Sequence, residues 1–115
     1  MTNQCLFCQI AAGEIPSQRV FSDDHLYAFH DINPAAPTHI LVIPRKHLSS
    51  VCDAETKDEA LMGKLLLAGQ QIAKDQGLAV DGFRLVINTG DKGGQTVHHI
   101  HLHILGGRQL TWPPG

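Results

Sequence analysis

From His99 to Ile104 polar and apolar residues alternate strictly, with His99, His101 and His103 interleaved by Ile100, Leu102 and Ile104. A period of two belongs to a β-strand, and it sends the three imidazoles to one face and the three aliphatic chains to the other. The pattern predicts a strand over Thr96–Leu105. Upstream, Phe83–Asn88 reads as another strand, joined to it by the glycine-rich turn Thr89–Gln95. A period of 3.6 takes over between Leu61 and Gly77, where Leu61, Leu65, Gly69, Ile72 and Ala73 share one helical face. Thr56-Lys57-Asp58-Glu59 ahead of it has the form of a capping box. Nearer the N-terminus, Cys5–Ala12 suits a short helix, with Leu6 and Ile10 four apart and Gly13 placed to end it. Arg19–Ser22 and Leu26–Asp31, parted by Asp23-Asp24, read as a hairpin, and His39–Ile43 is a third strand, bounded by the loop Asn33–Pro37 and by Pro44. This order of helix, three strands, helix and two strands implies an α+β fold, an antiparallel five-stranded sheet with two helices on one face. Residues 1–115 are expected to form one domain, with a short C-terminal tail over 106–115.

The three histidines are the strongest chemical signal. Side chains two apart on a strand stand about 6.5–7 Å from one another, and imidazole, with an unperturbed pKa near 6.5, serves at cellular pH as base, nucleophile or neutral ligand. Gly93-Gly94-Gln95-Thr96 lies directly before them, where glycines would let backbone N–H groups approach a phosphate and the Thr96 hydroxyl would add a donor. Charge does not add a second signal: 9 basic and 11 acidic residues give a net charge of -2, so no broad footprint for nucleic acid or an acidic membrane surface is present. The opening residues have no basic stretch followed by an apolar core, and no apolar run approaches the length of a membrane span, which places the expectation on a soluble cytoplasmic protein. An odd count of 3 cysteines, with Cys5 and Cys8 close together and Cys52 far away, argues for reduced thiols or a metal rather than a disulfide framework.

The run His99-Ile-His101-Leu-His103-Ile-Leu resembles the signature of the histidine triad (HIT) nucleotide-binding proteins. The resemblance extends through Phe29-His-Asp31-Ile32, Pro37-Thr38-His39-Ile-Leu-Val-Ile-Pro44, Gly93-Gly94-Gln95-Thr96, Leu105-Gly-Gly-Arg-Gln and the ending Trp112-Pro-Pro-Gly. It looks like the Hint branch, which implies a HIT-like fold, a homodimer, and hydrolysis of adenosine 5′-phosphoramidates and aminoacyl-adenylate-like substrates to AMP and free amine. By that resemblance His101 is the nucleophile that forms an adenylyl-histidine. His103 and His39 bind the α-phosphate and relay a proton to the leaving nitrogen, and Thr96, Gln95 and the Gly94 backbone stabilise charge on the phosphate oxygens. Asp31 matches the carboxylate that takes the ribose hydroxyls; Phe7, Phe29 and Ile32 would sandwich the base, Asn88 would complete the contacts, and Trp112 would reach toward the partner's site. Catalysis in this branch needs no cofactor. Cys5-x-x-Cys8 resembles instead the bacterial HIT proteins that hold a structural zinc, with His47 and His99 as the matching second pair of ligands.

Two other classes remain open on the sequence alone. His-x-His strands also occur in metal-dependent hydrolases and cupin-like oxygenases, which need a nearby carboxylate ligand, although barrel hydrolases require a chain about twice as long. A nucleotide sensor that binds AMP and signals through a partner without turnover would carry the same binding residues.

Overall fold

The computed structural model describes residues 4–115. The chain folds as α1 (Leu6–Ala11), β1 (Arg19–Ser22), β2 (Leu26–His30), β3 (Thr38–Pro44), α2 (Glu59–Asp75), β4 (Phe83–Val86) and β5 (Leu102–Gly106), with short 3-10 turns at Val51–Asp53 and Thr56–Asp58. The five strands form one antiparallel sheet in the order β1-β2-β3-β5-β4. The predicted five-stranded sheet and two helices are therefore present.

β2 and β3 are buried at nearly every position, because both faces of the sheet are covered. On one face Leu26, Ala28, Ile40, Val42, Leu102 and Ile104 pack with Leu65, Ile72 and Ala73 of α2. On the other, Tyr27, Phe29, Leu41 and Ile43 pack with Phe7 and Ile10 of α1. The two helices thus lie on opposite faces, which corrects the expectation of helices on one face. Alternation along β2 and β3 feeds two cores at once, and this explains why these strands read as continuous apolar runs.

Three local expectations also change. β4 ends at Val86, so Ile87 and Asn88 already belong to the loop. α2 begins at Glu59 after a 3-10 turn whose cap is the Asp58 carboxylate, which accepts the Glu55 N–H at 2.9 Å and the Lys46 ammonium at 2.6 Å. Thr56 and Glu59 form no capping box. The predicted strand Thr96–Leu105 forms ladder pairs only from Leu102 onward. Before that, the Ile100 N–H is drawn to the Leu48 carbonyl at 2.8 Å, so the segment carrying His99 is anchored to the loop after β3. The facial alternation survives this bend: Ile100, Leu102 and Ile104 all enter the α2-side core.

Candidate functional site

Sheet register assembles the first part of the site. Leu41 on β3 pairs with His103 on β5, and His39 pairs with Leu105, so His39 and His103 are diagonal neighbours on the α1 side. Their rings meet with His39 Nε2 2.9 Å from His103 Nδ1. Asp31 follows β2 and its N–H bonds the His39 carbonyl at 3.0 Å, which brings its carboxylate within 3.4 Å of His39 Nε2. On the other side of His103 stands His101, ring centroids 4.9 Å apart, and the Phe7 ring meets the His101 ring edge-on at 5.1 Å.

Burial keeps these imidazoles neutral. It pushes His39, His99 and His101 below the ordinary histidine value. His103, pressed by burial and then by His101 and His39, falls to about 4. Backbone partners then fix where each neutral ring carries its proton. The Ala35 N–H donates to His39 Nδ1 at 2.9 Å, so the proton of His39 is on Nε2 and faces His103 Nδ1. His103 accordingly keeps its own proton on Nε2. His101 Nδ1–H donates to the His99 carbonyl at 2.8 Å, which leaves His101 Nε2 as a bare lone pair. His99 Nε2–H donates to the Pro44 carbonyl at 2.7 Å, and its Nδ1 lone pair is turned toward the N-terminal helix.

There it meets a second cluster. Cys5 Sγ lies 3.3 Å, Cys8 Sγ 3.5 Å and His47 Nδ1 3.1 Å from His99 Nδ1, and one donor atom from each of the four residues lies within 4.8 Å of all the others. Around a tetrahedral zinc with bonds of about 2.0–2.3 Å, neighbouring ligand atoms stand roughly 3.3–3.8 Å apart. The four donor atoms fit that arrangement, and two thiols with two imidazoles are a donor set suited to zinc.

The glycine-rich loop differs from its expected role. Gly94 donates its N–H to the Asp91 carbonyl at 3.0 Å and Gln95 its N–H to the Gly90 carbonyl at 3.0 Å. The Gly94 N–H is therefore taken up inside the turn. The Gln95 side chain is buried and bonded to backbone at both ends, so it does not reach toward a phosphate. Asn88 Nδ2 donates to the Gly93 carbonyl at 2.7 Å. The Thr96 and Val97 N–H groups meet no acceptor among the described residues, and Thr96 is exposed. Phe7 and Phe29 are buried and meet edge-on at 5.5 Å, with Phe7 also against the His101 ring. Ile32 and Trp112 stand 90% and 82% exposed. Residue identity could not have flagged the Ala35 amide or the Pro44 and His99 carbonyls, because every residue type offers a carbonyl and all but proline an N–H.

Four buried or half-buried histidines thus have assigned protons, and His101 presents Nε2 as a lone pair. The HIT domain family matches residues 12–110, and the chain belongs to that family. Uncharacterized HIT-like proteins of Synechococcus elongatus and Synechocystis are 49% and 50% identical to it over 115 residues, the whole of each chain. The crystal structure of a HIT family hydrolase from Legionella pneumophila is 52% identical, with a TM-score of 0.96 over 97% of this chain and 100% of that one. A histidine triad protein from Clostridium difficile is 46% identical, with a TM-score of 0.91 over 96% and 97%.

Proposed function

We propose that this protein is a Hint-like nucleoside phosphoramidase, hydrolysing adenosine 5′-phosphoramidates and aminoacyl-adenylate-like substrates to AMP and free amine. The observation that carries the reading is the hydrogen bond from His101 Nδ1–H to the His99 carbonyl at 2.8 Å, because it leaves Nε2 unprotonated and oriented by a fixed acceptor. In the first step Nε2 forms a bond to the α-phosphorus as the phosphorus–nitrogen bond breaks. The departing nitrogen needs a proton, and His103, whose Nε2 carries one and whose Nδ1 is backed by His39, supplies it. Water then attacks the phosphorus of the nucleotidyl-histidine and gives its proton back to His103 Nε2, while the bond from phosphorus to His101 Nε2 breaks, releasing AMP and restoring the His101 lone pair. Charge on the phosphate oxygens is met by the Thr96 hydroxyl and the Thr96 and Val97 N–H groups. Asp31 takes the ribose hydroxyls, Ile32 lies over the base, and Asn88 contributes through the loop that it braces.

Cys5, Cys8, His47 and His99 would hold a structural zinc, closed by four protein ligands and fixing α1 beside the triad. A thiolate site of this kind suits a reducing compartment, and we assign the protein to the cytoplasm. No helix among the described residues is long and apolar enough to cross a membrane. We also assign a homodimer. The reasons are the unpaired edge of β4, the exposed Ile87 that follows it, and exposed Leu66 and Leu67 on α2, whose Gly69 lies against Leu85 of β4; Trp112 would then reach the partner's site. The relatives described in print as HIT family hydrolases support hydrolysis as the reaction type.

A second reading has one observation in its favour. Asp31, His39 and His103 also gather ligand atoms within 4.8 Å, a carboxylate with two imidazoles that would suit a catalytic metal. Hydrolysis of adenosine 5′-phosphoramidate by the wild type and His101→Ala, with chelator and then with restored zinc, separates the readings. Turnover in chelator that His101→Ala abolishes while AMP still binds supports the covalent route. Turnover only with metal supports the second, and AMP binding without turnover leaves a nucleotide sensor.

A further inference from the structure

Gln95 makes three hydrogen bonds with one buried amide. Its Oε1 accepts from the Gly90 N–H at 3.0 Å, and its Nε2 donates to the Ser49 carbonyl at 2.6 Å and to the Val97 carbonyl at 3.0 Å. Two donors and one acceptance occupy the group, and with 6% of the residue exposed nothing is left to offer a substrate. The same residue's backbone N–H closes onto the Gly90 carbonyl at 3.0 Å. Gly90 and Gln95 thus grip each other twice and shut the turn into a ring. Within that ring a Cβ at position 93 would stand 2.2 Å from the Thr89 carbonyl oxygen, which requires glycine at the point of closest approach.

The consequence lies in what these bonds bracket. A trans peptide is planar, so holding one polar group of a unit fixes the opposite one. The unit before Gln95 is fixed by its N–H on Gly90, and the unit after Val97 is fixed by its carbonyl, which receives Gln95 Nε2 and also the His99 N–H at 2.9 Å. Between these two anchored planes lie the Thr96 and Val97 N–H groups, and neither finds an acceptor among the described residues. The bond to Ser49 ties the bracket to the loop after β3, whose Leu48 carbonyl already receives the Ile100 N–H. One amide therefore sets the height of the donor strip relative to His101.

We propose that Gln95 is a positioning residue for transfer at phosphorus: it never touches the substrate, and it aims the Thr96 and Val97 N–H groups at one of the two non-bridging phosphoryl oxygens. The proposal rests on the hydrolase reading above. Donors aimed at a single oxygen make the site sensitive to which of those oxygens is replaced by sulfur. Misaiming them erodes that sensitivity, whereas a plain loss of stability only lowers the amount of active protein.

The test compares the two diastereomers of adenosine 5′-phosphorothioamidate on the wild type, Gln95→Glu and Gln95→Met. Glutamate keeps the shape and the acceptor for Gly90 but loses both donors; methionine loses all three bonds. The ratio of kcat/KM values for the two diastereomers is independent of the active fraction, so a partly unfolded variant still reports. The expected result is a wild-type preference that narrows by about tenfold in either variant, with kcat for the parent phosphoramidate falling about 10–100-fold and KM moving far less. A wild-type ratio near one, or a preference unchanged in both variants, overturns the positioning role. Failure of the wild type to hydrolyse the parent phosphoramidate at all removes the hydrolase reading instead, and the positioning role with it.

Discussion

Acid should unfold this protein early, and His103 gives the size of the effect. In the unfolded chain it takes a proton near 6.5, and in the folded chain only near 4, because burial and the neighbouring His101 and His39 oppose its charge while Asp31 only partly offsets them. Above pH 6.5 both states hold the neutral ring and the linkage contributes no difference. As pH falls below 6.5 the unfolded state binds a proton that the folded state refuses, so stability drops until about pH 4 and then levels for this group. At about 1.4 kcal/mol per pH unit the full window is worth on the order of 3 kcal/mol, trimmed to about 2 by pH 4.5 because the ring is partly solvated. The assay is urea unfolding of the wild type and His103→Gln at pH 7.5, 6.5, 5.5 and 4.5. Any acid loss of a metal from the cysteine–histidine cluster is common to both proteins and cancels. The wild type should lose about 2 kcal/mol more than the variant across the series. Parallel curves would refute the claim that His103 is held neutral by its surroundings.

Other outcomes follow from particular contacts. Asp31→Ala should weaken AMP binding, measured by calorimetry, by about 1.5–3 kcal/mol if the carboxylate accepts charge-assisted ribose bonds; unchanged affinity takes Asp31 out of the site. Metal analysis of untagged protein should find about one zinc per chain, lost in Cys8→Ser, whereas a metal-free preparation of full thermal stability would end the zinc assignment. Gly106→Ala should lower unfolding stability by about 1–3 kcal/mol, since its Cβ would stand 2.7 and 2.8 Å from the two methyl carbons of buried Leu78; an unshifted urea midpoint would show that Leu78 moves aside freely. Sedimentation equilibrium should give a dimer for the wild type and a monomer for Leu66→Glu combined with Leu67→Glu, and a monomeric wild type would remove the assembly.

Most of the fold was legible because each element carried its own period. The hairpin of β1 and β2, the strand after Pro37 and the helix after Glu59 all occupy the segments that their apolar spacing marks. The errors arose where a distant partner outweighed local pattern. The segment carrying His99 lies on the period-two run, yet its Ile100 N–H bonds Leu48 instead of continuing the ladder, while the His99 ring does face Cys5 and Cys8, more than ninety positions away in sequence. The helices lie on opposite faces because β2 and β3 supply apolar residues in both directions, a signal carried by the unbroken apolar runs Leu26–Phe29 and Ile40–Ile43. At the site, His101, His103, His39 and Asp31 were named from sequence and stand together. For Gln95 and Gly94 residue type announces hydrogen-bonding capacity but says nothing about the bonds the loop itself makes with it.

The double life of position 99 has an evolutionary side. The side chain of His99 belongs to the cysteine–histidine cluster, but the group that holds His101 is the backbone carbonyl, which every amino acid possesses. A lineage that discards the two cysteines can therefore change this side chain without surrendering the grip on the nucleophile. The cysteine–histidine cluster can come and go among descendants as a detachable trait, while the tautomer of the His101 imidazole is inherited intact with the main chain.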